Sequence, residues 1–561
     1  MAVWWKERVV YQIYPRSFQD SNGDGIGDIP GIISRLDTLK DLGAGILWLS
    51  PMYPSPDADN GYDISDYRGI DPKFGTMADM EALIAEAGKR DIRIIMDLVI
   101  NHTSDEHEWF QKSRDPASEY RDYYIWRPPR KNGGLPNNWR GFFVEDAWEF
   151  DERSGEYYLH LFHKKQPDLN YKNPRVIEEV KGVLRFWLDK GVAGFRCDVI
   201  NVLYKTSLAD GKKGGILPGL EWYKCQEGNH EILRELRRHV LDGRDCFTVG
   251  EAVMVNLEEA KLLCDESRHE LNMAFYFDHL EVDRRIAKYI PKRFKAATLL
   301  ERLAKWQRGL EWNAVYLENH DQSRIVSHYG DDGAYWERSA KLLAVLELTL
   351  RGTPFIYQGQ ELGMTNFDFT GFGEVDDVES HNMNALLKRY HVPAAFRWKW
   401  ISAASRDNAR TPMQWSAEPG AGFTTGKPWL GINANHKRIN YEAQAEAPGS
   451  VRNFYKKLIA LRASSETLKY APFTPQYARG PVIAYNREGE DEVWTVILNF
   501  SGKRADLAGA LRAAGADRGA GPGGVIAASN TGRTDLMGNL EPWEAAVVTR
   551  RKNRPLARSG A

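Results

Sequence analysis

Three acidic residues stand near the ends of three strand-like runs, and their types suit the cleavage of a glycosidic bond. Asp198 lies in GVAGFRCDVI, Glu251 follows CFTVG, and Asp321 closes VYLENHD. A barrel of parallel strands collects its strand ends at one rim, so residues far apart in sequence can meet there. Carboxylates gathered at such a rim can supply a nucleophile and a general acid for glycosidic cleavage.

Asp198 is the candidate nucleophile because of the arginine two residues before it. Side chains alternate along a strand, so Arg196 and Asp198 share the inner face of a barrel while Cys197 faces the helices. A neighbouring guanidinium favours the ionised carboxylate, which is the form a nucleophile needs. The alternative is a buried ion pair that only stabilises the barrel.

The other polar residues at the strand ends have separate predicted roles. Glu251 ends an apolar strand, where burial raises a carboxyl pKa and suits a general acid. Asp321 is expected to stabilise positive charge that develops on the sugar, or to bind its hydroxyls. Helix capping and loop capping are the respective alternatives. His102 ends DLVINH, and we expect it to hydrogen-bond a sugar hydroxyl rather than to be structural.

A separate motif, DSNGDGIGD at 20–28, predicts a metal site. Oxygen ligands recur at alternate positions and suit Ca²⁺, while the glycines permit a tight loop. The predicted ligands are Asp20, Asn22, Asp24, the main-chain carbonyl of Ile26, and Asp28. Gly31 stands where an EF-hand has glutamate, so the motif is a different kind of loop. We expect a structural Ca²⁺, with Mg²⁺ as the other ion considered and a metal-free turn as the alternative.

Composition excludes several classes of function. The 561 residues are 42% hydrophobic with net charge −2, whereas nucleic-acid-binding domains concentrate basic charge. The start, MAVWWKERVV, lacks the pattern of a signal peptide, and no apolar run reaches the roughly 18 residues of a membrane span. The four cysteines have no CxxC spacing and predict reduced thiols. We therefore expect a cytoplasmic monomer or weak homo-oligomer, without nucleic-acid or membrane partners.

Eight short apolar runs are the candidate strands that position these residues. They span 9–15, 45–51, 92–101, 192–200, 246–252, 272–279, 313–321 and 353–361. Continuous apolar runs are typical of strands covered on both faces, as in a parallel sheet. Helical patterns lie between the runs: Thr76 and Asp79 form a capping-box start for one, and Asn173 before Pro174 suits the start of another. Eight such units predict an α/β fold, a closed (β/α)₈ TIM barrel.

Two insertions and a change of pattern divide the chain further. The predicted domains are barrel domain A at 1–102 and 172–478, a loop-rich domain B at 103–171 inserted after strand three, a second insertion at 364–430 within domain A, and an antiparallel C-terminal β domain at 479–561. Long insertions into a compact domain are usually functional, and both would overhang the strand-end rim. GAGPGG at 519–524 fits G-x-G-x-x-G only by its letters, because no strand–turn–helix context surrounds it. We interpret it as a surface turn.

Together these motifs resemble those of the α-amylase superfamily, glycoside hydrolase family 13. The matching stretches are DLVINH, GFRCDVIN, GEA and ENHD, and they occur in the family's order. Bacterial oligo-1,6-glucosidases, dextran glucosidases and related α-glucosidases look most alike, through DNGYDISDY, QPDLN and RDNARTPMQW. The resemblance covers nearly the whole chain.

The resemblance implies a retaining α-glucosidase that acts on a small oligosaccharide and transfers some glucose to other sugars. Asp198 would be the nucleophile, Glu251 the acid/base and Asp321 the transition-state stabiliser, with the first two carboxyl groups about 5–5.5 Å apart. The implied glucose-binding residues are Asp59, Tyr62, His102, Arg196, His320 and Arg410, with Phe162 and Gln166 near the entrance. In relatives the counterparts of Asp59 and Arg410 close the pocket's end, which makes those enzymes exo-acting.

Linkage preference depends on Val199, directly after the nucleophile. In this group of enzymes valine here goes with α-1,6 hydrolysis and alanine or threonine with α-1,4, so the resemblance implies substrates such as isomaltose, isomalto-oligosaccharides and panose. The alternative is that valine is merely a good strand residue. GEAVMVN replaces a GEMPGVT-like run, and Ser323 stands where proline is common. Both departures bear on where the second sugar binds.

Other functions on the same scaffold stay open. They are an α-1,4-glucosidase, a sucrose-processing hydrolase or isomerase, an α-glucosyltransferase and, remotely, a non-catalytic binding subunit. The RLDRD motif of sucrose isomerases is absent, since the corresponding stretch reads NHDQSRIVSHYGDD. All three carboxylates are present, which disfavours a binding subunit.

Overall fold

The structure, a computed structural model, describes residues 3–214, 217–285, 288–516 and 525–552. The GAGPGG stretch at 519–524 lies outside these residues. Within them the chain forms sixteen strands and eighteen α-helices. None of these helices combines the length and the hydropathy that a membrane span requires.

The strands carry the labels β1 to β16 in chain order. They are β1 Val9–Ile13, β2 Ala44–Leu49, β3 Arg93–Leu98, β4 Trp126–Arg127, β5 Trp148–Asp151, β6 Glu156–Leu159, β7 Gly194–Cys197, β8 Phe247–Glu251, β9 Met273–Phe275, β10 Ala314–Val315, β11 Thr353–Tyr357, β12 Phe473–Arg479, β13 Val482–Glu488, β14 Glu492–Asn499, β15 Val525–Ser529 and β16 Ala545–Arg551.

The helices carry the labels α1 to α18. They are α1 Trp4–Glu7, α2 Ile29–Ser34, α3 Leu36–Leu42, α4 Met77–Lys89, α5 Glu108–Ser113, α6 Pro174–Asp189, α7 Glu227–Leu236, α8 Leu257–Cys264, α9 Ala296–Gly309, α10 Ile325–His328, α11 Trp336–Thr349, α12 Val378–Arg389, α13 Ala394–Ala404, α14 Asp407–Arg410, α15 Tyr441–Ala445, α16 Val451–Ser464, α17 Glu466–Tyr470 and α18 Leu507–Ala513.

Eight parallel strands form the predicted barrel. Their order is β10-β11-β1-β2-β3-β7-β8-β9, so the sheet nearly closes between β9 and β10. Each of the eight predicted runs overlaps one of these strands, and the fold prediction is confirmed. The register pairs Asp97 of β3 with Arg196 of β7, and Cys197 with Gly250 of β8. The ends of β3, β7 and β8 therefore lie side by side.

Local signals explain where the barrel's helices begin. At the start of α4, Thr76 and Asp79 form the predicted capping box, which satisfies main-chain N–H groups that lack a partner within the helix. At the start of α6, Asn173 accepts from the main-chain N–H of Arg175, and Pro174 occupies the first turn. α6 buries Val180 and Trp187 against the sheet. Burial of such apolar stripes holds the helices around the barrel.

The insertions have structure of their own. Residues 103–171 contain a small antiparallel sheet in the order β4-β6-β5. The second insertion contains the helical hairpin of α12 and α13, followed by the short helix α14. The two insertions meet at the barrel's rim, where Phe143 of the first contacts Arg406 of the second. Arg406 also lies close to Asp321, one of the predicted site residues.

A five-stranded antiparallel sheet, in the order β12-β13-β14-β16-β15, forms the C-terminal region. Its first strand begins at Phe473, before the predicted boundary at 479. β12 is an edge strand with Pro475 inside it and mixed burial, so its sequence lacks the apolar run that marks the inner strands. All four cysteines lie in the described ranges and are free.

Candidate active site

One arginine connects three carboxylates at the centre of the barrel rim. The Nη1 atom of Arg196 lies 2.5 Å from Oδ1 of Asp198 and 2.7 Å from Oδ1 of Asp97. Its Nη2 atom lies 2.7 Å from Oε2 of Glu251. Arg196 comes from β7, Asp97 from β3 and Glu251 from the end of β8, so the barrel register creates the cluster. Two of the three predicted carboxylates thus share one guanidinium, which keeps them close to each other.

Burial dominates the acid–base properties of this cluster. It raises the pKa of Asp198 to about 7 and that of Glu251 to about 7, against the opposing charge of Arg196. It also raises the pKa of Asp97 to about 6. A raised pKa suits Glu251 as an acid. For Asp198, sequence reasoning expected Arg196 alone to favour the charged form, but one guanidinium serves three buried carboxylates.

Asp321 lies in a different electrostatic environment from Asp198 and Glu251. Its Oδ1 atom accepts from Nη2 of Arg410 at 2.9 Å and lies 3.4 Å from Nη1 of Arg406. Burial alone would raise the pKa of Asp321, but His320 and the two arginines lower it well below its usual range. Asp321 is also the most exposed of the three predicted carboxylates, at 25% of its side chain against 8% for Asp198. It is a permanent anion at the open part of the site.

Arg406 closes the pocket end that the resemblance assigned to Asp59 and Arg410. Its Nη2 atom donates to Oδ1 of Asp59 at 3.0 Å, and its Nε atom donates to Oδ1 of Asp377 at 2.7 Å. Arg410 instead contacts Asp321, and the described side chains form no direct Asp59–Arg410 ion pair. Arg406, rather than Arg410, is therefore the direct partner of Asp59. Both arginines belong to RDNAR, and helical geometry places them one turn apart, so spacing alone does not choose between them.

Tyr62 and His320 form one wall of the pocket. Their rings stack 5.2 Å apart at 4°, and the hydroxyl of Tyr62 donates to Oδ2 of Asp97 at 3.2 Å. The Nδ1 atom of His320 lies 2.9 Å from Nε2 of Gln12. This wall connects the central cluster to Asp321, because Nε2 of His320 is 3.2 Å from Oδ2 of Asp321.

His102, Phe162 and Gln166 form a second group of residues next to Tyr62. The Nε2 atom of His102 is 3.1 Å from the Tyr62 carbonyl and 3.2 Å from Nε2 of Gln166, and its ring is 5.3 Å from that of Phe162. Gln166 was expected near the entrance. It is fully buried and donates to Oδ2 of Asp59, so it belongs to the closed end. Its Oε1 atom accepts from the His163 N–H, which folds the side chain inward.

Val199 is not a strand residue. β7 ends at Cys197, and Val199 has φ of +35°, a conformation that is unfavourable for a β-branched side chain. It is buried in an apolar cluster with Phe162 and Tyr223. Its main-chain N–H donates to Oε2 of Glu251 at 3.3 Å. The alternative explanation, a valine chosen for strand formation, is wrong; strained backbone at such a position is typical of functional sites.

Sequence reasoning missed Asp97 and Arg406 as site residues. Asp97 carried a usable signal, because it is a charged residue inside the otherwise apolar strand β3 and is fully buried. Buried charges are paired, so a partner on a neighbouring strand was to be expected. Arg406 carried no such signal, since it lies outside the strands in an insertion.

The loop at 20–28 contains oxygen donors of the kind that Ca²⁺ prefers. Asp20 accepts from the main-chain N–H groups of Asn22, Gly23 and Gly25. Burial would raise the pKa of Asp20, but these bonds and the Thr424 hydroxyl lower it, so it stays ionised. In the described ranges, no three Asp, Glu, His or Cys side chains gather as a metal cluster. The fit to a cation therefore rests on mixed carboxylate, amide and carbonyl oxygens.

Comparison with known proteins agrees with this geometry. The family model for the alpha amylase catalytic domain matches residues 12–471. An oligo-1,6-glucosidase of Parageobacillus thermoglucosidasius is 51% identical over 512 residues, which are 89% of this chain and 91% of that protein. The solved trehalose-6-phosphate hydrolase of Bacillus licheniformis has TM-score 0.90 and 41% identity, covering 98% and 100% of the two chains. An isomaltulose synthase of Erwinia rhapontici, solved with sucrose, has TM-score 0.92 and 41% identity, covering 98% and 99%.

Proposed function

The chain belongs to the alpha-amylase family, and on that premise we propose that it is an exo-acting, retaining α-glucosidase. Its substrates are short α-1,6-linked glucosides such as isomaltose, isomalto-oligosaccharides and panose, from which it releases the non-reducing terminal glucose. The α-1,6 preference is supported by the oligo-1,6-glucosidase relative and by Val199 beside the nucleophile.

The observation that carries the exo-acting assignment is the closed end of the pocket. Asp59 and Arg406 are each only 6% exposed at their side chains, and their ion pair joins residues from two distant segments. Arg406 also lies 5.2 Å above the ring of Phe143 in the 103–171 insertion. A sugar chain cannot continue through a wall of buried ion pairs, so only a terminal glucose fits.

The arrangement supports a two-step displacement. Glu251, whose pKa burial raises to about 7, donates a proton to the glycosidic oxygen as Asp198 attacks the anomeric carbon. The bond to the leaving sugar breaks and a glucosyl ester forms on Asp198. Glu251 then takes a proton from water, which attacks the same carbon and frees Asp198. A second sugar in place of water gives the expected transfer product.

Asp321 and Arg196 serve the charge that develops during these steps. Asp321 stays ionised because His320, Arg406 and Arg410 lower its pKa, so it can stabilise an oxocarbenium-like sugar. Arg196 holds Asp198 and Glu251 in place with one guanidinium. Positioned charges of this kind act without reorganising at the moment of reaction.

A substrate panel tests the proposal. Isomaltose, panose, maltose, sucrose and trehalose are assayed side by side, and product analysis at high sugar concentration measures transfer. We expect glucose release from isomaltose and panose to exceed that from maltose. Much faster turnover of maltose contradicts the α-1,6 assignment, and a dominant isomer from sucrose supports the sucrose-processing alternative.

We also propose a structural Ca²⁺ at the 20–28 loop and a cytoplasmic location. Asp20, Asn22, Asp24, the Ile26 carbonyl and Asp28 would hold the ion, which would stabilise the loop without contacting the three catalytic carboxylates. The support is the oxygen-only donor set of the loop, with Asp20, Asp24 and Asp28 as its carboxylates. Four free cysteines support the location.

A further inference from the structure

We propose that Asn201 is a positioning residue that sets the linkage preference. Asn201 fixes the position of residues 253–254, and the leaving sugar lies against these residues. The inference rests on the proposed function and deepens it, because it concerns the second sugar rather than the bond-breaking groups. Asn201 is three residues after Asp198 and fully buried.

The amide of Asn201 binds both main-chain groups of one residue across the site. Its Oδ1 atom accepts from the N–H of Val253 at 2.9 Å, and its Nδ2 atom donates to the carbonyl of Val253 at 2.9 Å. The same Nδ2 atom is 3.4 Å from Sγ of Cys225. A side-chain amide that binds both the N–H and the C=O of one residue makes the hydrogen bonds that a neighbouring strand would otherwise make.

This contact continues the β7–β8 pairing beyond the point where the strands end. The last paired residues are Cys197 and Gly250, one residue before each catalytic carboxylate. Past them, the Ile200 N–H donates to the Glu251 carbonyl at 3.1 Å. The Asn201 side chain then binds Val253. Hydrogen bonds thus connect the loop that follows Asp198 to the loop that follows Glu251.

The two loops include strained backbone that something must hold in place. Val199, Cys225 and Met254 have φ of +35°, +49° and +55°, and none is glycine. Such conformations persist only where the surrounding structure fixes them. Asn201 binds Cys225 through a second contact, since its carbonyl accepts from the Cys225 N–H at 2.8 Å. It therefore connects the segments that contain all three strained residues.

Residues Val199, Tyr223, Val253 and Met254 form what we call the acceptor wall. Val253 packs against the apolar cluster that contains Val199 and Tyr223. Met254 is 56% exposed, which places it at the open side. The leaving sugar must contact Glu251 to receive its proton, so it lies against residues that follow Glu251. None of these four residues takes part in the ion pairs around Asp59 and Asp321.

The test compares a substrate that has a leaving sugar with one that lacks it. For Asn201→Ala, we expect kcat/KM on isomaltose to fall about tenfold, since two hydrogen bonds of ordinary strength are lost. Hydrolysis of α-glucosyl fluoride, whose leaving group is a single atom, is expected to stay within about twofold, because the donor-side contacts are intact. The isomaltose-to-maltose ratio is expected to fall as well. Equal losses on fluoride and isomaltose, or an unchanged ratio, overturn the proposal.

Three further variants guard against a trivial loss of folding. Asn201→Asp keeps the size of the side chain but loses the donor to the Val253 carbonyl, so the same selective loss is expected. Cys225→Ala keeps both bonds to Val253 and is expected to leave the ratio unchanged. Asn486→Ala removes a buried amide from the C-terminal sheet, where Asn486 bonds to Ala514 and Thr495. It is the control for general destabilisation, and a ratio change in it contradicts the assignment.

Assays of the wild-type enzyme distinguish a failure of the Asn201 proposal from a failure of the α-1,6 assignment. If the wild type hydrolyses α-glucosyl fluoride but not isomaltose, the α-1,6 assignment is wrong. The Asn201 variants are then measured on whichever disaccharide the wild type prefers, against the fluoride. A selective loss there still supports the positioning role, and an equal loss refutes it.

Discussion

The two sides of the pocket are held by different forces. The donor side, where we propose that the terminal glucose binds, is a network of buried charges in which Arg406 contacts Asp59, Asp321 and Asp377, and Arg410 contacts Asp321. The acceptor wall is apolar, partly exposed and strained, and the amide of Asn201 holds it. The donor side therefore has many mutually dependent contacts, whereas the acceptor wall depends on few.

The contrast between the donor side and the acceptor wall indicates where substrate specificity can change. Removing one member of a buried charge network leaves its partners unpaired, which is strongly destabilising. An apolar wall tolerates substitutions of similar volume more easily. We infer that glucose recognition is fixed by the donor side, while linkage preference is tuned by small changes in the acceptor wall.

The largest effect is expected where both sides meet, at Asp198. Asp198→Asn removes the nucleophile, so we expect kcat on every α-glucoside to fall by roughly ten-thousand-fold or more, as for other enzymes that lose a nucleophile. The measurement is steady-state hydrolysis of isomaltose and α-glucosyl fluoride. Asp97→Asn is the matched control, because it removes a different carboxylate from the same guanidinium and is expected to have a smaller effect. Full activity of Asp198→Asn refutes the mechanism.

Arg406→Ala tests whether the donor side is held by charge. The change leaves Asp59 and Asp377 buried without their cation, so we expect a loss of about 3–5 kcal/mol in the free energy of unfolding. Activity on all substrates is expected to fall together. Urea denaturation measures the loss. Val253→Ala in the acceptor wall is the counterpart, expected to cost about 1 kcal/mol. Comparable losses from the two variants contradict the proposed difference.

Val199→Ala tests the acceptor wall. The change opens space beside the nucleophile, and we expect the ratio of kcat/KM for isomaltose to that for maltose to fall about tenfold or more, the usual size of such pocket effects. Hydrolysis of α-glucosyl fluoride is expected to stay nearly constant, and stability is not expected to fall much, because alanine tolerates the positive φ of this position better than valine. An unchanged ratio means that Val199 does not determine linkage.

The pH profile of activity tests Asp198 and Glu251, which lie between the donor side and the acceptor wall. Burial raises the pKa of Glu251 and of Asp198 to about 7. As pH rises through about 7, Glu251 loses the proton that it must donate, so activity falls. As pH drops below about 7, Asp198 becomes protonated and cannot attack. We expect a bell-shaped dependence of kcat/KM centred near 7, with apparent values that belong to the coupled pair. Activity that keeps rising to pH 9 contradicts this assignment.

The smallest effect on activity is expected at the 20–28 loop, which contacts residues 423–424 of the second insertion. Asp20 bonds to Thr424, and the Asp20 N–H donates to the Phe423 carbonyl. If the loop binds Ca²⁺ at 100 times its Kd, chelation removes about 2.7 kcal/mol of stabilisation and lowers Tm. The isomaltose-to-maltose ratio is expected to stay constant. Asp24→Ala is the control, since chelation is then expected to have no further effect. An unchanged Tm in the wild type refutes the metal site.

Much of the fold was accessible from sequence because its signals are local. Eight apolar runs gave the barrel strands, and capping residues such as Thr76 and Asn173 marked helix starts. The edge strand β12 was missed because Pro475 and partial burial weaken its pattern. The acceptor wall was only partly anticipated, since Val199 and the run after Glu251 drew attention while Asn201 and the strained backbone did not.

The order and types of the strand-end residues were enough to predict which groups do the chemistry, because Asp198, Glu251 and Asp321 each lie at or after the end of a recognisable strand. The partners of those groups became visible only in the folded chain. Arg196 serves three carboxylates and Arg406, rather than Arg410, pairs with Asp59. Such partnerships depend on barrel register and on where two insertions meet. A carboxylate's pKa depends on all nearby charges and on burial, which no single stretch of sequence contains.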